Sequence, residues 1–145
     1  MFDIREIKKY VPHRFPFLLI DRILEFKENE SITALKNITI NEGHFQGHFP
    51  DTPLVPGVYI IESMAQAACF LLAKSGGGLR DDIVYVLGRV NRMSFFNPVV
   101  PGDQLMVSVT IEKKFGDTAL VSGVGKVGNS VVAKGELMFA TRPRF

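Results

Sequence analysis

The chain is 145 residues long, 46% hydrophobic and 22% charged, with a net charge of +2. That length fits one domain over residues 1–145. The composition is that of a globular chain, not a disordered one, and so small a charge lacks the concentrated basic face that nucleic acid binding calls for. The single cysteine, Cys69, excludes an internal disulfide and, set in an apolar run, reads as a small buried hydrophobe.

Asp3 is placed to cap a short helix through Tyr10, with Ile4 and Ile7 spaced to share its inner face and Pro12 to stop it. This charged start carries no secretory pattern, so the sequons at Asn29 and Asn37 read as chance matches and the cytoplasm is the expected compartment. Phe17 to Phe26 and Ser31 to Ile40 are expected strands, the second rich in β-branched residues. The pairs Lys8-Lys9 and Lys113-Lys114 read as solvated faces.

Residues 43–57, GHFQGHFPDTPLVPG, change the character of the chain. Their proline and glycine density excludes a helix or a central strand and predicts a shaped loop. Pro56-Gly57 opens a long helix to about Lys74, apolar nearly all round, with Glu62, Ser63 and Gln66 as its clearly polar side chains. A helix of that kind is normally wrapped on every side. It falls short of a membrane span, because polar residues interrupt every stretch of about 18 residues or more. Gly76-Gly77-Gly78 ends it.

The remainder is strand-like: a short buried run Ile83–Leu87, alternation over 105–111, then 119–127 and 130–140 separated by Gly-Asp and Gly-Asn turns. The sum is an α+β architecture, a curled antiparallel sheet wrapped around one long central helix. One small sheet is not expected to cover all of that helix, so dimerisation is expected.

Three residues carry the chemistry. His48 sits in a Gly-His-Phe-Pro setting just ahead of a helix, where a neutral imidazole can serve as a base. Glu62 lies past the strongest helix-dipole effect with Gln66 at i+4 to hydrogen-bond it, and burial is expected to favour its protonated form. The backbone N–H of Gly57 belongs to the open first turn and can stabilise an oxyanion. Base, acid and oxyanion donor together suit abstraction of a proton beside a thioester carbonyl with departure of a β-hydroxyl as water, which needs no cofactor. His44 and His48 with Glu42 form an H-x3-H pattern, but Gly43, Gly47 and Pro50 keep it off a helix, so no metal is expected.

The segments PHRFPFLLIDR (12–22), KNITINEGHFQGHFP (36–50), PLVPGVYIIESMAQAA (53–68) and PVVPGDQL (98–105) resemble the 3-hydroxyacyl-[acyl-carrier-protein] dehydratase family over most of the chain. The resemblance implies the hotdog fold, a homodimer often assembled as a trimer of dimers, and an acyl carrier protein presenting the substrate on phosphopantetheine. It implies catalytic His48 and Glu62, contributed by different subunits. It also implies that the Leu54 carbonyl orients His48, that Gly57 is the oxyanion donor, that Gln66 supports the carboxylate, and that Tyr85 gates the acyl tunnel. His44 stands where the family has an apolar residue and is given no catalytic part. Relatives carry more charge in the stretch here reading RVNRMSFFNP (89–98). Arg89 and Arg92 remain for carrier docking, with Phe96 as an added apolar contact. The competing functions are a hotdog thioesterase and a carrier-protein binder with little activity.

Overall fold

The computed structural model describes residues 1–78 and 80–144. In chain order it contains α1 (Ile4–Tyr10), β1 (Arg22–Lys27), β2 (Ser31–Asn37), a 3-10 turn (Gly43–Gln46), α2 (Gly57–Ser75), β3 (Ile83–Phe95), β4 (Gln104–Phe115), β5 (Thr118–Val127) and β6 (Ser130–Pro143). The strands form one sheet in the order β1-β2-β4-β5-β6-β3, every neighbouring pair antiparallel.

Asp3 caps α1, its Oδ1 accepting from the N–H groups of Arg5 and Glu6 at 2.9 and 3.3 Å. Of the expected pair only Ile7 is buried; Ile4 is exposed, so the pair contributes one anchor. The helix docks near the far end of α2, where Phe70 is fully buried and meets the rings of Phe2, Tyr10 and Phe26 at 5.6, 5.1 and 6.0 Å between centroids. The edge-on pairs with Tyr10 and Phe26 add roughly 0.5–1.5 kcal/mol each beyond the area they bury.

Helix α2 packs against strands β2, β3, β4 and β5, and every residue from Ser63 to Ala73 is buried. It is long and apolar enough to cross a membrane by composition, but most of that window is buried inside the protein. Its alanines let the sheet come close, and Gly123 on β5 completes the fit: a Cβ there would stand 2.8 Å from Met64 Sδ. One sheet does not cover the whole helix: sheet and N-terminal segment together bury Ser63–Ala73, while Glu62 stays part-exposed and Val58 in the first turn is 68% exposed.

Three element expectations also shift. The strand foreseen from Phe17 begins only at Arg22, because the backbone of Phe17 and Leu19 pairs with the side chain of Gln66 instead of with a neighbouring strand. The second strand stops at Asn37, where the Ile38 N–H turns to the Asp103 carbonyl. The short buried run at Ile83 is instead a 13-residue strand, half-buried to exposed, because β3 is an edge strand whose one partner is β6.

Candidate active site

The loop ahead of α2 is held by its own backbone. The 3-10 turn at Gly43–Gln46, not anticipated within this loop, ends with the His48 N–H donating to the His44 carbonyl at 3.1 Å. Phe49 and Thr52 exchange two backbone bonds of 3.0 Å, and the Leu54 N–H returns to the His48 carbonyl at 3.1 Å. Val55 N–H then donates to Val99 O, and Gly102 N–H to Ile38 O, so the turn of the PVVPGD segment braces the loop from below. The proline-rich sequence thus forms a fixed frame around one side chain.

That side chain is His48. Its Nδ1 donates to the Leu54 carbonyl at 2.8 Å, the contact expected from the sequence, and its ring stacks on Phe49. With Nδ1 so engaged, the neutral tautomer of the ring presents Nε2 as its basic nitrogen. His48 lines a cleft of about 600 Å³ shared with Gly57, Val58, Ile61 and Phe95. Pro56 is the N-cap of α2 and no side chain caps the turn; the Tyr59 N–H donates to the Pro56 carbonyl at 2.9 Å, and Gly57 and Val58 ahead of it line this cleft. A Cβ on Gly57 would stand 2.9–3.2 Å from the Phe95 ring. What approaches the Gly57 backbone in this structure is therefore an aromatic ring, where the sequence suggested a ligand.

Glu62 does not line the His48 cleft. One turn deeper in α2, its Oε1 accepts from Gln66 Nε2 at 3.0 Å and lies 3.2 Å from His13 Nε2, with the two side chains 28% (His13) and 21% (Glu62) exposed. Gln66 is fully buried and bound at both ends of its amide: Leu19 N–H donates to its Oε1 at 2.8 Å, and its Nε2 donates to Phe17 O at 2.6 Å. The single chain thus brings His48 together with Leu54 and Gly57, and Glu62 together with Gln66, but does not join the two groups around one cleft.

His13, from the PHRFPF segment, is a neighbour of Glu62 that the sequence does not announce, because the two are far apart in the chain. Tyr85 is at the other end of α2, its hydroxyl beside Gly76, where burial raises its pKa; it does not line the His48 cleft. Glu42 is engaged by Lys36 at 2.6 Å, and His44 stacks on Tyr59, its pKa lowered chiefly by burial. The Cys69 thiol is buried and pushed up to about 12 by desolvation, then by the Glu62 charge.

Residues 11–136 match the family model for a FabA-like domain. The chain is 46% identical over 142 residues to the 3-hydroxyacyl-[acyl-carrier-protein] dehydratase FabZ of Aromatoleum aromaticum, with 97% of each covered. This chain belongs to the 3-hydroxyacyl-[acyl-carrier-protein] dehydratase family. It is likewise 44% identical to the FabZ dehydratase of Aliivibrio fischeri over 140 residues, covering 97% of this chain and 93% of the relative. Among solved structures, the dehydratase heterocomplex ApeI:P of Xenorhabdus doucetiae aligns with a TM-score of 0.78 at 16% identity, over 94% of this chain and 90% of that one. A hot-dog-like protein of Thermanaerovibrio acidaminovorans aligns at 0.65 and 18% identity, over 81% and 84%. At those identities the structures speak for the fold: the dehydratase family member is an α+β hotdog, as expected.

Proposed function

We propose that this chain is a hydro-lyase converting (3R)-3-hydroxyacyl-[acyl-carrier-protein] to the trans-2-enoyl thioester in fatty acid or related lipid biosynthesis, working in the cytoplasm. The observation that carries the reading is His48, locked through Nδ1 by Leu54 beside the uncapped N-terminus of α2. His48 Nε2 takes the α-proton of the thioester. The electron pair moves onto the carbonyl oxygen, where the Gly57 N–H donates to it, and then returns to form the Cα–Cβ double bond as the β-hydroxyl leaves. Glu62 gives that hydroxyl a proton, so it departs as water, and Gln66 holds the carboxyl in place. Proton return from His48 to Glu62 through solvent resets the site.

The site is composite, His48 of one protomer meeting Glu62 of another in a homodimer, which in turn builds a trimer of dimers. In support, no carboxylate among the described residues of its own chain lines the His48 cleft, and beside it runs the open edge of β3. That edge carries exposed Leu87, Val90 and Phe95, and an unpaired strand of this length invites pairing with a second copy. The carrier protein docks on exposed Arg89 and Arg92, with exposed Phe96 sharing a pocket with Arg92.

The test is turnover of purified 3-hydroxyacyl carrier proteins of several chain lengths, following enoyl absorbance and free thiol together. Enoyl formation without thiol release is expected. Thiol release without enoyl would mark a thioesterase, and neither would mark a carrier binder.

A further inference from the structure

Two side chains converge on one oxygen of Glu62. Gln66 Nε2 donates to Oε1 at 3.0 Å and the His13 Nε2 stands 3.2 Å from the same oxygen as an ion-pair contact, while among the described residues no hydrogen bond reaches Oε2. His13 is itself held in place: the Arg14 guanidinium donates to the carbonyls of Lys8, Val11 and His13, fixing the loop that presents the ring. The other ring nitrogen, Nδ1, is buried without a partner. The tautomer protonated at Nε2 is therefore the one that strands no N–H, and it sets that nitrogen beside the carboxyl.

A carboxyl rotates broadly about its last torsion unless both sides are fixed. The Gln66 N–H on Oε1, with the His13 ring packed beside it, makes that oxygen the carbonyl-like acceptor and leaves Oε2 to carry the acidic proton. We infer that His13 is a positioning residue for Glu62, holding Oε1 against Gln66 so that the proton sits on Oε2, facing the substrate hydroxyl. The inference rests on the reading of Glu62 as proton donor.

Steady-state kinetics of His13→Leu, His13→Gln, Glu62→Gln and the double variant His13→Leu/Glu62→Gln test it. His13→Leu should lower kcat by about tenfold or more with KM within about twofold, the pattern for a displaced catalytic group. His13→Gln, which keeps an N–H donor, should recover most of that loss. His13→Leu should cost nothing further once Glu62 is an amide, since neighbours acting as a unit are not additive. In wild-type protein labelled with nitrogen-15 at histidine, the His13 Nε2 resonance should move on Glu62→Gln, whether or not the His13 variants fold. A near-wild-type His13→Leu, equal losses in His13→Leu and His13→Gln, additive losses in the double variant, or an unmoved resonance would each overturn the role of His13. Full activity of Glu62→Gln would instead remove the reading on which it rests.

Discussion

The imidazole of His48 gives its Nδ1 proton to the carbonyl of Leu54 at 2.8 Å, and that bond decides which nitrogen is basic. Leu54 can do this because its own N–H is returned to the His48 carbonyl, closing the loop on itself. His48→Ala should therefore lower dehydration by at least about a hundredfold, the lower range for loss of an acid–base group. His48→Gln should do the same. Circular dichroism and thermal melting should show both variants folded, since the loop is fixed by backbone bonds and not by the ring. A variant within tenfold of wild type would remove His48 from the base role.

Gly57→Ala probes the mouth of the site. The new methyl would meet the Phe95 ring at 2.9–3.2 Å, and Phe95 is 49% exposed and can swing aside. The gain in helix propensity offsets that shift, so the melting temperature should change little, within about 1 kcal/mol of stability. Activity should fall by at least about tenfold, because the displaced ring and the methyl narrow the approach to the N–H that serves the oxyanion. Unimpaired turnover would place the oxyanion donor elsewhere.

Much of this was legible in the chain. The glycines and prolines around His48 spelled a fixed loop running into a helix, and the i, i+4 spacing of Glu62 and Gln66 gave a hydrogen bond that is present at 3.0 Å. The nearly all-apolar α2 announced the central helix. What escaped was long-range. The Leu18–Ile20 run looks like a strand, but the backbone on its N-terminal side is spent on the Gln66 side chain 47–49 residues away. The length of β3 was hidden because an edge strand lacks the buried alternation that marks a central one. His13 escaped because its partner is remote in sequence and the loop carrying it has no periodicity to read.

The sheet offers a stability contrast. A methyl on Gly123 would press on Met64 Sδ at 2.8 Å, a flexible side chain. One on Gly135 would meet Met93 Cα at 2.8 Å, which is backbone and part of the β3 bulge. Gly135→Ala should cost about 1–3 kcal/mol, the usual range for overpacking, and more than Gly123→Ala. Urea melts of the two variants should show that order; the reverse order would mean that the bulge yields more easily than the core.

Carrier docking should be electrostatic. Reversing charge at Arg89 and Arg92 should raise KM for a carrier-bound substrate while leaving a coenzyme A analogue nearly untouched. Added salt should mimic the change, since exposed charges are screened within about 10 Å at 0.1 M. Equal losses on both substrates would place these arginines in the architecture of the site, and no loss on either would move docking to the Lys8-Lys9 face.

The composite site is the central claim, and subunit exchange tests it most directly. Folded, inactive His48→Ala and Glu62→Gln proteins are mixed, exchanged through mild denaturant and assayed for enoyl formation. Random pairing makes half the dimers mixed, each with one intact site of two, so about a quarter of wild-type activity should return. Confirmed exchange without recovery would show that both groups act from the same chain and would contradict the two-subunit site.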